Sequence, residues 1–169
     1  MPSFPTCAPP QPPHPRPDPT AARHLLACRV GETSLAFPAE QVEEILEDRP
    51  AARVPHAPEH IGGIVSWGEG SLAVVDLARF LHLGAPSSPG DDTQARARIV
   101  VVTAGGLQAG LRCAKVLGIV DASRVLQVRP DTLQGERLAP FLRSEVSGPD
   151  GAIGVLDVAA LLESLRVRS

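Results

Sequence analysis

The stretch at residues 53–81, RVPHAPEHIGGIVSWGEGSLAVVDLARFL, carries the strongest structural signal in this sequence. Two apolar runs, IGGIVSW and SLAVVDL, flank the short break GEG, an arrangement typical of two antiparallel strands joined by a tight glycine turn. Trp67, the single tryptophan of the chain, lies at the edge of this turn. The stretch therefore predicts a β-hairpin with an aromatic side chain near its tip, followed by a short helix in DLARFLHL.

Similar apolar runs continue on both sides of this hairpin. They predict further strands at 24–30, 33–38, 97–104, 107–114, 115–122, 124–130, 138–146 and 152–158, and a terminal helix in VAALLESL. Between them, AEQVEEILED (39–48) predicts a short helix, because Val42, Ile45 and Leu46 follow the i, i+3, i+4 spacing and acidic residues take the other face. Many short strands at this spacing indicate small barrels or a sandwich.

The two halves of the chain resemble each other. SLAVVDLARFL closes the first half and AIGVLDVAALL closes the second, and each reads as a strand, an aspartate and an apolar helix. A duplicated barrel would explain this similarity. The segment 84–96, GAPSSPGDDTQAR, is the internal linker by composition, and we expect the two barrels to join near it.

Residues 1–20 hold nine of the chain's 18 prolines. Because proline lacks a backbone donor and favours extended conformations, this segment predicts a disordered tail that acts as a tether or spacer. Order should begin near residue 21.

Composition excludes several classes of protein. A formal net charge of −3 and scattered arginines argue against nucleic-acid binding. No run is long enough to span a membrane, and no secretory leader is recognisable. Three widely separated cysteines suit a reducing compartment, so a cytoplasmic protein is expected.

Candidate chemistry is sparse. His56 and His60 are four residues apart, but Pro58 between them argues against a helical metal site, so no metal or cofactor is predicted. Cys113 could act as a nucleophile with His82 as its base, yet it lies in an apolar strand where an inert buried thiol is favoured. A β-barrel enzyme with dispersed catalytic residues remains the alternative reading.

The order of these elements and the sequence motifs within them resemble those of the CheW family of chemotaxis coupling proteins. VEEIL (42–46) is similar to the family's V-x-E-I segment, and 53–77 resembles its R-I-P-N-A-P-x-F-I-x-G-V-x-N-L-R-G-x-I-V-P-V-V-D-L signature without gaps. KVLGIV (115–120) resembles x-V-L-G-V, and IGVLDVAALL (153–162) resembles the closing I-L-L-D-I-x-x-L-L. These four fragments occur in the family's order.

This resemblance implies a mainly β fold with two small SH3-like barrels packed together. It implies a non-enzymatic adaptor that links the cytoplasmic tip of a chemoreceptor, a methyl-accepting chemotaxis protein, to the regulatory domain of a CheA-type histidine kinase. It also implies where these partners bind, namely around the 42–46 segment, the glycine of the first hairpin strand and the hairpin turn. The corresponding positions are Val42, Glu44, Gly63, Trp67, Gly68 and Glu69.

The hairpin turn departs from the family pattern. Where the family has N-L-R-G, this chain has Ser66, Trp67, Gly68 and Glu69. In the family, the arginine of this turn can pair with the glutamate that Glu44 matches. The chain should therefore present an acidic surface with Trp67 as an apolar anchor.

Overall fold

The computed structural model describes residues 24–83, 97–121, 137–148 and 151–166. The predicted tail at 1–20, the linker at 84–96 and the expected strand at 124–130 lie outside the described residues. The described residues form ten strands, two helices and two short 3-10 turns at Ala39–Gln41 and Ala139–Phe141. In chain order these are β1 His24–Val30, β2 Thr33–Pro38, β3 Val42–Glu47, β4 Ile61–Trp67, β5 Gly70–Asp76, α1 Leu77–Leu81, β6 Arg98–Ala104, β7 Leu107–Cys113, β8 Lys115–Asp121, β9 Leu142–Gly148, β10 Gly151–Leu156 and α2 Val158–Leu165.

The strand predictions within these ranges are confirmed, except that strand 138–146 begins only at Leu142, after the 3-10 turn Ala139–Phe141. The helix predicted at 39–48 is wrong. Only a short 3-10 turn forms there, and Val42–Glu47 is strand β3. Strand β3 pairs antiparallel with β6, whose apolar run provides a buried ladder partner. This tertiary pairing overrides the helical spacing, since strand formation depends on the neighbouring strand more than on intrinsic preference.

The ten strands form two five-stranded sheets with the same arrangement. One has the order β8-β1-β2-β10-β9 and is called barrel 1; the other has the order β3-β6-β7-β5-β4 and is called barrel 2. Each contains a hairpin from one half of the chain and three strands from the other half. The chain crosses from barrel 1 to barrel 2 after β2 and returns to barrel 1 after β7. The segment 84–96 therefore does not join the two barrels as expected, because the strands before and after it, β5 and β6, belong to the same sheet.

Apolar side chains form three clusters. The largest is shared by the two barrels and by both helices, and its fully buried members include Phe37, Leu111 and Leu161. Two smaller clusters fill the barrel interiors, one around Val146 in barrel 1 and one around Val65 in barrel 2. The fold therefore depends on a common core to which both halves contribute.

The similarity between the two strand–Asp–helix segments corresponds to the same local structure. The Asp76 side chain accepts a hydrogen bond from Arg79 N at the start of α1, and the Asp157 side chain accepts one from Ala160 N at the start of α2. Both aspartates are helix N-caps, which satisfy backbone donors that the first turn leaves free. The repeated sequence thus marks two equivalent strand-to-helix junctions.

Candidate partner-binding site

Trp67 and Glu44, which are 23 residues apart, are joined by a hydrogen bond. The indole Nε1 of Trp67 donates to Oε2 of Glu44 over 2.7 Å. Trp67 is the last residue of β4, Glu44 lies in β3, and these strands are the two edges of barrel 2. The bond therefore connects the two edges of the sheet at one end of the barrel.

The position of Trp67 follows from strand alternation. Val65 and Trp67 point to the same face of β4, and both contact the apolar interior of barrel 2. The indole is partly buried, so one part covers the end of the barrel core while another part remains accessible. A tryptophan in this position can be both a core residue and a contact for another protein.

The surface around this bond is negatively charged. Glu43 and Glu44 are both exposed, and neutral groups hold both carboxylates: Glu43 accepts from the Thr103 hydroxyl at 2.7 Å and from the Gln108 amide at 3.2 Å. In the described part of the chain, the ion pairs lie at other carboxylates, namely Asp48, Asp76, Asp157 and Glu163. Among the described residues, neutral donors alone thus orient the carboxylates of Glu43 and Glu44.

The turn next to Trp67 is open. Gly68 has a φ of 56°, in the left-handed region, and a Cβ built on it would meet no atom within 4 Å. Glu69 follows in the same exposed turn. Glu44, Trp67, Gly68 and Glu69 therefore lie at one end of barrel 2.

The two other predicted positions lie apart from this group. Val42 packs against the shared core on the opposite side of β3. Gly63 is buried in β4 with a φ of 131°, and a Cβ on it would lie 2.5 Å from the Ala52 carbonyl oxygen. The structure thus gives Gly63 a backbone role, because a side chain there would collide with the neighbouring segment.

Sequence reasoning missed the exposed apolar residues of two edge strands. Ile119 in β8 is 63% exposed, Leu117 beside it is 39% exposed, and Ile45 in β3 is 42% exposed. Ile45 and Ile119 occupy equivalent places in the two barrels. Ile45 pairs with Val100, five residues before the turn between β6 and β7, and Ile119 pairs with Leu26, five residues before the turn between β1 and β2. The signal in the sequence was the run KVLGIVD, which is apolar on both faces of an edge strand.

The structure argues against Cys113 as a nucleophile. Its thiol is buried and lies 3.6 Å from the Leu111 carbonyl oxygen. A hydrogen bond with the Cys28 thiol, together with burial, raises the pKa of Cys113 well above its usual range. A reactive thiol requires the opposite shift. The environment is that of an inert core residue, as the sequence predicted.

Among the residues at 24–83, 97–121, 137–148 and 151–166, no group of three or more histidine, cysteine or acidic side chains could hold a metal ion. Within the same ranges, no helix has the length and apolar character needed to cross a membrane.

Comparison with known proteins gives consistent matches. The family model described as CheW-like domain matches residues 24–166. Protein FrzA of Myxococcus xanthus is 33% identical over 144 residues, which cover 83% of this chain and 86% of FrzA. The probable chemotaxis protein CheW of Rhizobium etli is 32% identical over 114 residues, covering 66% of this chain and 65% of that protein.

The fold also matches a solved structure. The scaffolding protein TtCheW from Thermoanaerobacter tengcongensis aligns with a TM-score of 0.69 at 21% identity, covering 83% of this chain and 92% of TtCheW. That likeness concerns the fold, and it agrees with the two packed SH3-like barrels expected from the sequence. Since the family model spans all of the described residues and FrzA aligns along most of both chains, this chain belongs to the CheW-like domain family.

Proposed function

We propose that this CheW-like protein is a non-catalytic scaffold that links the cytoplasmic tip of a chemoreceptor to the regulatory domain of a CheA-type histidine kinase. The CheW-like family couples components of chemotaxis signalling, and this chain is an adaptor of that kind. It acts in the cytoplasm, where both partner segments are located. The observation that carries the proposal is the presence of two separate exposed surfaces, one on each barrel.

The first surface is the end of barrel 2 around Trp67 and Glu44. It combines an accessible part of the indole with the carboxylates of Glu43 and Glu44, which accept from neutral groups and form no ion pair with any residue that the structure describes. A partner with an arginine or lysine beside an apolar residue would complement it, because the cation can approach Glu44 and the aromatic face together. Binding at this surface should weaken as salt is raised.

The second surface is strand β8, an edge of barrel 1. Leu117 and Ile119 expose apolar area there, and Lys115 lies exposed at the start of the strand. Lys115 pairs in register with Arg29 of β1, so the start of this edge strand is basic, on the face opposite to that of Ile119 and its partner Leu26. An apolar partner segment with acidic residues fits it. The two surfaces thus differ in charge, which suits two different partners.

A pairwise binding experiment tests the proposal. Purified full chain is titrated with the receptor-tip fragment and with the kinase regulatory domain from the same genome, each alone and both together. Binding of both partners to one molecule supports the scaffold. Failure of both fragments to bind would contradict it.

Two matched variants locate the contacts. Trp67→Ala should weaken binding of one partner by at least about 1 kcal/mol, as interface anchors do, while circular dichroism shows that the fold remains. Ile119→Ser, on the other barrel, should weaken binding of the other partner. If Trp67→Ala binds both partners normally, or unfolds the protein, Trp67 is not an anchor and the hairpin is only structural.

A further inference from the structure

Two contacts join the two edges of barrel 2, and a third ties the residue after β3 to the centre of the sheet. Ala52, after β3, forms an antiparallel bridge with Ile64 of β4, with backbone hydrogen bonds of 2.8 and 2.9 Å. The Trp67–Glu44 bond lies at one end of these strands. At the other end, Arg112 of β7 reaches Asp48, which directly follows β3, with an Nε–Oδ1 distance of 3.0 Å.

The Arg112 guanidinium also lies against the start of β4. A Cβ built on Gly62 would be 3.1 Å from Arg112 Nη1, so the group occupies the space that a larger residue at this position would need. The neighbouring Gly63 leaves room for the Ala52 carbonyl in the same way. The two adjacent glycines of IGGIVSW thus accept two different contacts, a guanidinium on one residue and a backbone carbonyl on the next.

Arg112 is well placed to hold this position. Its backbone is fixed inside the sheet, where it pairs with Ile99 on one side and with Asp76 on the other. Its side chain is 27% exposed and that of Asp48 is 35% exposed, so solvent screens this ion pair less than a fully exposed one. From a central strand of the sheet, the guanidinium therefore contacts both edges, Asp48 after β3 and Gly62 in β4.

The contact lies at the point that sets the register of β4. A bulge falls between Ile61 and Gly63, next to the guanidinium. A shift of one residue in a strand reverses the direction of every side chain beyond it. From Gly62 to Trp67 the strand extends about 17 Å, so the register at its start decides whether Trp67 faces Glu44.

We propose that Arg112 is a positioning residue for the Trp67–Glu44 site: held by Asp48 and seated on Gly62, its guanidinium keeps β4 in the register that directs the indole to Glu44. The inference uses the proposed function only in naming this site as a partner contact. The geometry itself can be tested without a partner, because Trp67 is the only tryptophan and its fluorescence reports this site alone.

The experiment measures Trp67 emission and acrylamide quenching in the full chain, well below its unfolding temperature. Arg112→Leu should shift the emission to longer wavelength and raise the quenching constant about twofold, as the partly buried indole becomes accessible. Asp48→Asn should act in the same direction and serves as the second variant if Arg112→Leu does not fold. Arg112→Lys, which keeps the charge and loses the planar fork, should give an intermediate value.

The reversed pair Arg112→Asp with Asp48→Arg should recover part of the quenching protection that the single variants lose. The matched control is Arg79→Leu, which removes another arginine–aspartate pair next to barrel 2, at 3.7 Å from Asp76, and should leave Trp67 emission unchanged. Affinity for the partner that Trp67→Ala weakens should also fall about threefold or more in Arg112→Leu.

The proposal is overturned if Arg112→Leu and Asp48→Asn lower the unfolding temperature but leave Trp67 emission and quenching as in the parent chain. It is also overturned if Arg79→Leu changes Trp67 to the same extent. These outcomes are distinct from failure of the proposed function, in which Trp67 responds to Arg112→Leu while neither partner fragment binds the parent chain.

Discussion

The two barrels have the same strand order, yet their edges are joined differently. The two-residue turn at Gly31–Glu32 in barrel 1 corresponds to the turn at Gly105–Gly106 in barrel 2. Ala27 and Val101 each lie four residues before their turn, and they pair with Gly118 and Glu44 respectively. Glu44 in barrel 2 is therefore equivalent to Gly118 in barrel 1. In the same way Trp67 is equivalent to Gly148, since each pairs with the residue three positions later in the chain, Gly70 and Gly151 respectively.

The difference shows where this chain departs from its own internal symmetry. Barrel 2 carries an indole and a carboxylate where barrel 1 carries two glycines, so the hydrogen bond across the barrel end can form on one side of the molecule only. The bulges that shape the edge strands occur at the same places in both barrels. Backbone geometry is thus common to both, and the side chains at the barrel ends distinguish two surfaces.

The largest expected effect comes from separating the halves. Residues 24–83 alone should not fold, because β1 and β2 would lose β8 and β10, their neighbours in barrel 1. Circular dichroism and the dispersion of amide proton shifts measure this. Adding the fragment 97–166 should restore structure. A folded monomer of residues 24–83 would show that the halves are independent and that the exchange of hairpins is unimportant.

A smaller effect is expected from Gly63→Ala, compared with Gly118→Ala in the other barrel. Both glycines have φ near 130°, but a Cβ at Gly63 would lie 2.5 Å from Ala52 O, whereas one at Gly118 would meet nothing within 4 Å. We expect a loss of about 3 kcal/mol for Gly63→Ala and about 1 kcal/mol for Gly118→Ala. Denaturant titration measures both, and equal losses would show that the close approach of Ala52 is unimportant.

Trp67→Phe should have a still smaller effect on stability. Phenylalanine keeps an aromatic ring against the barrel interior but cannot donate to Glu44, so the free energy of unfolding should fall by about 1 kcal/mol. The double variant with Glu44→Ala, which removes the acceptor, provides the control, because the two losses should not add if the bond joins the residues. Additive losses in a double-mutant cycle would show that the Trp67–Glu44 hydrogen bond does not stabilise the contact between the two edges of barrel 2.

The smallest effect concerns pH and another pair of equivalent positions. The backbone carbonyls of His60 and Phe141 each accept a hydrogen bond of 2.7 Å from the backbone N–H of an N-cap aspartate, Asp76 and Asp157 respectively. Both rings contact Phe80, at centroid distances of 5.0 Å for His60 and 5.7 Å for Phe141. Burial, and then the charge of Arg137, lower the pKa of His60 below its usual value.

A lowered pKa in the folded state means that the unfolded chain binds the proton more readily. Stability should therefore be fully present above about pH 6.5 and fall as the pH drops from that value through the folded pKa. Melting curves between about pH 7.5 and about pH 5.5 measure this, and His60→Phe should flatten the dependence. His24→Asn, at an exposed histidine of β1, is the matched control; the same flattening in that variant would assign the effect elsewhere.

Local signals were enough to predict most elements. Alternating apolar runs and glycine turns located the strands at 24–38, 61–76 and 97–121, and the two strand–Asp–helix patterns located both strand-to-helix junctions. They failed at Val42–Glu47, where the spacing of three apolar residues favoured a helix. Acidic residues on a short segment are compatible with either structure, and only the presence of β6 as a ladder partner decides in favour of a strand.

By itself, the sequence determined the β-rich composition, the hairpin at 61–76, the internal similarity and the membership of a coupling family. The tertiary structure alone decided that the halves exchange hairpins, that Trp67 donates to Glu44 and that Arg112 meets both Asp48 and Gly62. The reason is physical: periodicity and turn residues act over a few positions, whereas these contacts join residues 23, 64 and 50 positions apart. Such contacts depend on sheet order and register, which no local pattern specifies.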